Sequence, residues 1–227
     1  LVDRPLPSWS WLSSGWLRQV IENSASAIPL FRDSLDHALI RRRLPGDASE
    51  RYFRLWEERG VYLDALDRLP QTVCHLDVFR RNLFSRRTTC GDQQNVAIDL
   101  ACAGKAALVE ELVPLILGSV LFDEVGVDEA QALEEIVFES YLEGLRDAGW
   151  RGDPRQVRLG YAAAASLWYK FNDVGRWLAL ALNESFHPMI LQMWGMPIED
   201  VIDHGVQMES SFDRLADEAR ELMDALA

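Results

Sequence analysis

Apolar residues recur at helical spacing along two long stretches of this 227-residue chain, and the segment between them breaks that spacing. Trp16, Leu17, Val20 and Ile21 set the period, and Leu30, Phe31, Leu35, Ala38 and Leu39 repeat it. Tyr52, Phe53, Leu55, Trp56, Tyr62, Leu63 and Leu66 then carry it to Pro70. Such spacing puts the apolar side chains on one face, so it predicts helices from Trp16, over 28–44 and over 49–69, with Pro45-Gly46-Asp47 ending the second. After Gly104 the pattern returns and predicts helices over 108–122, 128–148, 154–183 and 198–227. Between the two stretches, Thr72-Val73-Cys74, Leu83-Phe84 and Val96-Ala97-Ile98 are short apolar runs separated by turn-rich residues, and they read as brief strands that include a hairpin. Residues 1–15 read as an irregular lead-in anchored by Trp9 and Trp11. The expected fold is mostly α with a small β component (α+β). One compact unit is expected over 1–227, with leading helices over 1–70, strands and loops over 71–104, and helices over 105–227.

Composition narrows the partners. Thirty-six acidic against 23 basic side chains give a formal charge of -13, which repels nucleic acid and anionic membranes. No apolar run approaches the roughly 18 uncharged residues that a membrane-spanning helix needs. Cys74, Cys90 and Cys102 are odd in number and lack C-x-x-C spacing, which predicts reduced thiols in a cytoplasm and no disulfide framework or zinc site. A cytoplasmic protein with no nucleic-acid or membrane partner is expected.

The chemistry concentrates in His75-Leu76-Asp77-Val78-Phe79-Arg80-Arg81-Asn82-Leu83-Phe84, followed by Ala97-Ile98-Asp99-Leu100. Two carboxylates and an amide fall on loops beside short strands. Phosphoryl transfer from ATP calls for such a set: a carboxylate to take or orient the acceptor's hydroxyl proton, and oxygen ligands for magnesium on the phosphates. In a tight loop Asp77 can face the acceptor while Asn82, five residues on, turns back toward the metal. Asp99, ending the next strand, completes the metal site. With four histidines, 19 aspartates and five asparagines, chance would place H-x-D-x-x-x-x-N in roughly 0.007 chains of this composition.

The segment resembles the catalytic loop and following metal-binding aspartate of the aminoglycoside phosphotransferase and choline kinase group, distant relatives of protein kinases. The helices on either side are similar to the C-terminal lobe of that family. The resemblance implies the C-terminal lobe of a protein-kinase-like fold, with Asp77 as catalytic base, Asn82 and Asp99 as magnesium ligands, His75 bracing the loop, and ATP as co-substrate. Leu76 stands where the family often has a small residue, and Leu100 where it often has an aromatic one. The family also holds the ATP phosphates with a lysine and a glycine-rich loop from an N-terminal lobe, yet the lysines here, Lys105 and Lys170, both follow the catalytic segment. The chain starts at Leu1. The expectation is therefore that the N-terminal β-rich lobe is absent from these residues and that they turn over negligibly alone.

Arg80 and Arg81 serve equally well to neutralise phosphate charge or to pair with acidic neighbours. Trp150, Trp168, Tyr169, Trp177 and Trp194 read mainly as core, with a substrate pocket as the alternative. Glu110, Glu111, Asp173, Glu184, Glu199 and Asp200 read as a solvated face, with attraction of a cationic substrate as the alternative. His187 and His204 have no ligand-like spacing. The acceptor is expected to be a small hydroxylated molecule, cations included. The competing functions are a non-catalytic helical scaffold and a metal-dependent hydrolase using Asp77 and Asp99, the latter thin for want of histidine ligands.

Overall fold

A computed structural model describes residues 6–171 and 182–227. Helices dominate and the strands are few and short, so the chain is mostly α with a small β component. The elements run β1 (Ser13–Ser14), α1 (Trp16–Asn23), α2 (Ala27–Asp33), α3 (Ala38–Arg43), α4 (Ala48–Arg68), β2 (Gln71–Cys74), β3 (Leu83–Arg87), β4 (Gln93–Ala97), β5 (Gly104–Ala107), α5 (Leu112–Leu121), α6 (Ala130–Asp147), α7 (Pro154–Trp168), α8 (His187–Trp194) and α9 (Ile198–Leu226). No helix among the described residues is long and apolar enough to cross a membrane. The chain divides into two compact units, one of residues 1–16 and 67–161 and one of residues 17–66 and 162–227, and the divisions fall inside α1, α4 and α7.

In the first unit a three-stranded sheet has the order β1-β5-β2, with β5 parallel to β1 and antiparallel to β2. Gly104 makes this possible, because a Cβ there would meet the Ser13 hydroxyl at 2.0 Å and the Ser13 carbonyl at 3.0 Å. The predicted hairpin forms separately, β3 pairing antiparallel with β4 from Leu83↔Ala97 to Arg87↔Gln93. α5 is apolar nearly all round and buried along most of its length, as a helix without a solvent face must be. α6 packs beside it.

In the second unit α9 packs on α3 and α8. Tyr52, Leu55, Tyr62, Leu63 and Leu66 line the buried face of α4, as their spacing predicted. Phe171 meets the Tyr52 and Trp56 rings edge-on at 5.2 Å each, a favoured aromatic geometry.

Several boundaries differ from the sequence expectation. The helix predicted over 28–44 is two, α2 and α3. Between them the chain turns at Ser34–His37, and the His37 Nδ1 accepts the Leu39 amide to cap α3. β1 and β5 were not expected, since Ser-Ser and Gly-Lys-Ala-Ala carry no strand-forming signal and owe their pairing to long-range partners. The helix predicted from 108 begins at Leu112, because Leu108–Glu111 forms a turn. α8 was not expected either. Trp150, Trp168 and Tyr169 are buried, whereas Asp173, Trp177 and the side chain of Trp194 lie outside the described residues.

Candidate active site

Every group of the site belongs to the first unit. β2 delivers the chain to His75, and Leu76 then adopts φ of +62°, a left-handed conformation that costs a side-chain-bearing residue roughly 1–2 kcal/mol. A small residue accommodates that turn most easily. Here Leu76 compensates by packing into a buried cluster with Cys74 and Ala106, with Trp16 and Cys102 against it. The turn directs Asp77 off the strand.

Asn82 is buried, and its Nδ2 donates to the Asp77 carbonyl at 2.9 Å and to the Asp77 Oδ2 at 2.8 Å. Those two bonds fix the carboxylate against the amide and leave the Asn82 Oδ1 facing away from Asp77. The Phe79 amide donates to the Asp77 carbonyl and the Asn82 amide to the Phe79 carbonyl, each at 2.8 Å. The five-residue spacing is thus a closed, hydrogen-bonded loop.

Asp99 is brought to this pair through its neighbour. The Ile98 amide donates to the Asn82 carbonyl at 3.0 Å, and the Ile98 carbonyl lies 2.8 Å from the His75 Nε2. The His75 Nδ1 accepts the Asp77 amide at 3.3 Å, so the ring's proton sits on Nε2 and is donated to Ile98. His75 is a brace between the two segments. Asp99 itself adopts φ of +61° and is exposed, a conformation aspartate tolerates better than most residues. Burial lifts the Asp77 carboxyl above the usual aspartate range; the Arg81 charge and the Asn82 hydrogen bond oppose that lift, and the Asp99 charge adds to it. Burial raises the Cys102 thiol, and the charges of Asp77 and Asp99 raise it further, so all three groups share one neighbourhood.

A second tier supports the loop. The His75 amide donates to Glu111 Oε2 at 3.2 Å, and Tyr141 hydrogen-bonds the same carboxylate while accepting the Val109 amide at 3.1 Å. Val109 is fully buried with φ of +88°, a marked outlier for a β-branched residue. Glu110 turns back on β5, accepting the Ala107 amide at 2.7 Å. Burial, with Asp67 adding to it, raises its carboxyl to about 7. Glu110 and Glu111 were expected on a solvated face; both are instead engaged inside the unit, while Glu184, Glu199 and Asp200 are exposed as expected. The apolar residues on either side of the Glu pair, Leu108-Val109 and Leu112-Val113, were the sequence signal for their burial.

The donors that remain open are oxygens: Asn82 Oδ1 and the Asp99 carboxylate. Hard oxygen donors, few in number, suit magnesium, which takes one or two protein ligands and completes its shell with water and phosphate. Among the described residues no three histidine, cysteine, aspartate or glutamate side chains form a metal-binding group. Arg80 and Arg81 lie at the loop surface, and all three cysteines are free thiols. No family model matches the sequence, no curated protein matches it, and no solved structure matches it.

Proposed function

We propose that the chain carries the acceptor and metal side of an ATP-dependent phosphotransferase, a kinase that moves a γ-phosphoryl group to the hydroxyl of a small molecule. The observation behind this reading is the Asn82 amide held on Asp77 Oδ2 while Ile98 ties Asp99 to the same loop. Asp77 accepts the hydroxyl proton as the acceptor oxygen bonds to phosphorus and the bond to the departing diphosphate breaks. Asn82 keeps the carboxylate oriented during that transfer. Asn82 Oδ1 and Asp99 would hold magnesium, which when bound offsets phosphate charge. A phosphate-gripping lysine is a separate requirement. Lys170 does not supply it, since Glu209 and Asp213 engage its ammonium; the lysine and glycine-rich loop are proposed to come from outside these residues, in a cytoplasmic parent protein.

Asp77→Asn tests the reading. It should preserve the loop and lower kcat by about 10² to 10⁴-fold in the parent protein, the usual worth of a positioned base. Unchanged turnover would exclude Asp77 as the base.

A further inference from the structure

One cation on the catalytic loop has no part in the proposed transfer. The Arg81 guanidinium carbon lies 4.6 Å from the centroid of the Phe79 ring and 5.4 Å from that of Phe122. The two rings meet edge to face, 5.7 Å apart at 69°. An arginine seated on aromatic faces is held by its flat surface, and its N–H fork stays available in its own plane. Among the described residues no carboxylate stands within ion-pair distance of Arg81 and no hydrogen bond uses its guanidinium. Elsewhere in the chain Arg43, Arg51 and Arg158 each hold a carboxylate.

Arg81 stands on the Asp77 side of the site. Its charge is the strongest influence opposing the burial of Asp77, ahead of the hydrogen bond from Asn82. In the proposed transfer Asp77 faces the acceptor. Glu110 and Glu111, which as free carboxylates would draw a cation, are spent on the Ala107 and His75 amides. The Arg81 guanidinium is therefore an unpaired positive charge beside Asp77.

We propose that Arg81 binds an oxyanion carried by the acceptor, so that the substrate is a hydroxylated carboxylate or phosphate ester and not a polycation. This rests on the phosphotransfer reading of Asp77. Bidentate N–H donation would fix the anion and set the acceptor's hydroxyl against Asp77. Arg81 is then a specificity-determining residue, distinct from the base and the metal ligands.

The test uses the full 227-residue chain with ¹⁵N-labelled arginine, its Arg81 Nε–H resonance assigned by its loss in Arg81→Lys. Glycerate, glycerol 3-phosphate, neutral glycerol and MgATP are titrated separately. The expected result is that at least one of the two anions shifts Arg81 and glycerol does not, and that Arg81→Gln weakens that anion's binding by at least about tenfold. Arg81→Lys, which keeps the charge and loses the fork, should retain part of it. Arg81 is exposed, and far-UV circular dichroism checks that both variants stay folded. An equal response to glycerol, or the same anion affinity in Arg81→Gln, overturns the proposal. So does a shift with MgATP and with neither glycerol anion, which assigns the arginine to the donor's phosphates. If the anions shift Arg81 while Asp77→Asn leaves turnover of the parent protein unchanged, the anion site stands and the phosphotransfer reading fails.

Discussion

The loop of Asp77 and Asp99 in the first unit and the Lys170 cluster of the second handle charge in opposite ways. In the second unit Lys170 is fully buried, ion-paired to Glu209 and, at 2.9 Å, to Asp213. Arg43 meets Glu209 at 2.6 Å and Arg51 meets Asp213 at 2.7 Å. Arg43 fits over Gly205 of α9, where a Cβ would come within 2.6 Å of its Nε. Burial draws the Lys170 ammonium down to about 8, and Asp213 works against that fall, so it stays mostly charged at neutral pH. Each of these charges has an opposite partner on a regular helix or close to one. In the first unit, Asp77 and Asp99 repel each other, Asp99 has no bonded partner among the described residues, and the backbone at Leu76, Asp99 and Val109 is left-handed. The charges of the cluster are thus paired on relaxed backbone, whereas those of the loop stand on costly backbone, a kind of strain that clusters at functional sites.

The contrast can be broken most sharply at Glu209. Glu209→Ala strands Lys170 and Arg43 beside a single remaining aspartate, and should cost about 3–5 kcal/mol in urea unfolding. A loss below about 1 kcal/mol would mean that water already solvates the cluster. Glu110 is an intermediate case, a buried acid that an amide partners without a cation. Its folded-state value of about 7 lies above the ordinary 4.5, so the native state holds the proton more tightly than the unfolded chain. Its contribution is fully present below pH 4.5 and is lost as pH rises through 7. The expected slope is up to about 1.4 kcal/mol per pH unit in that window. Comparing urea midpoints of the wild type and Glu110→Gln across pH 4–8 isolates it, and parallel curves would remove Glu110 from the account. The smallest effect belongs to Asp99→Asn. Asparagine suits the left-handed backbone and the site is exposed, so stability should move by no more than about 0.5 kcal/mol, while magnesium-dependent ATP binding, followed by calorimetry, should weaken. A large loss of stability would make Asp99 structural and align the two units.

The sequence made the long periodic helices readable, along with the hairpin and the spacing of Asp77, Asn82 and Asp99, because those signals are local. α4 follows its apolar period to within a residue or two of the expected ends. β1 and β5 carry no such signal, since each is a strand only by virtue of the other and of β2. The support beneath the loop was equally hidden: Glu111 lies 36 residues from His75, and Tyr141 lies 32 from Val109. The aromatic seat of Arg81 takes one ring from two residues back and the other from the end of α5. A pair of adjacent glutamates reads as solvated until the apolar residues on either side are weighed more heavily than the charge.

Ile98 offers no reactive atom, and its exposed side chain would pass for filler. Its peptide groups nevertheless tie the two acidic segments together: the amide bonds the Asn82 carbonyl, and the carbonyl meets the His75 imidazole, which in turn accepts the Asp77 amide. Ordinary side-chain scanning at position 98 would miss this linkage, because every residue but proline keeps the amide proton that makes it.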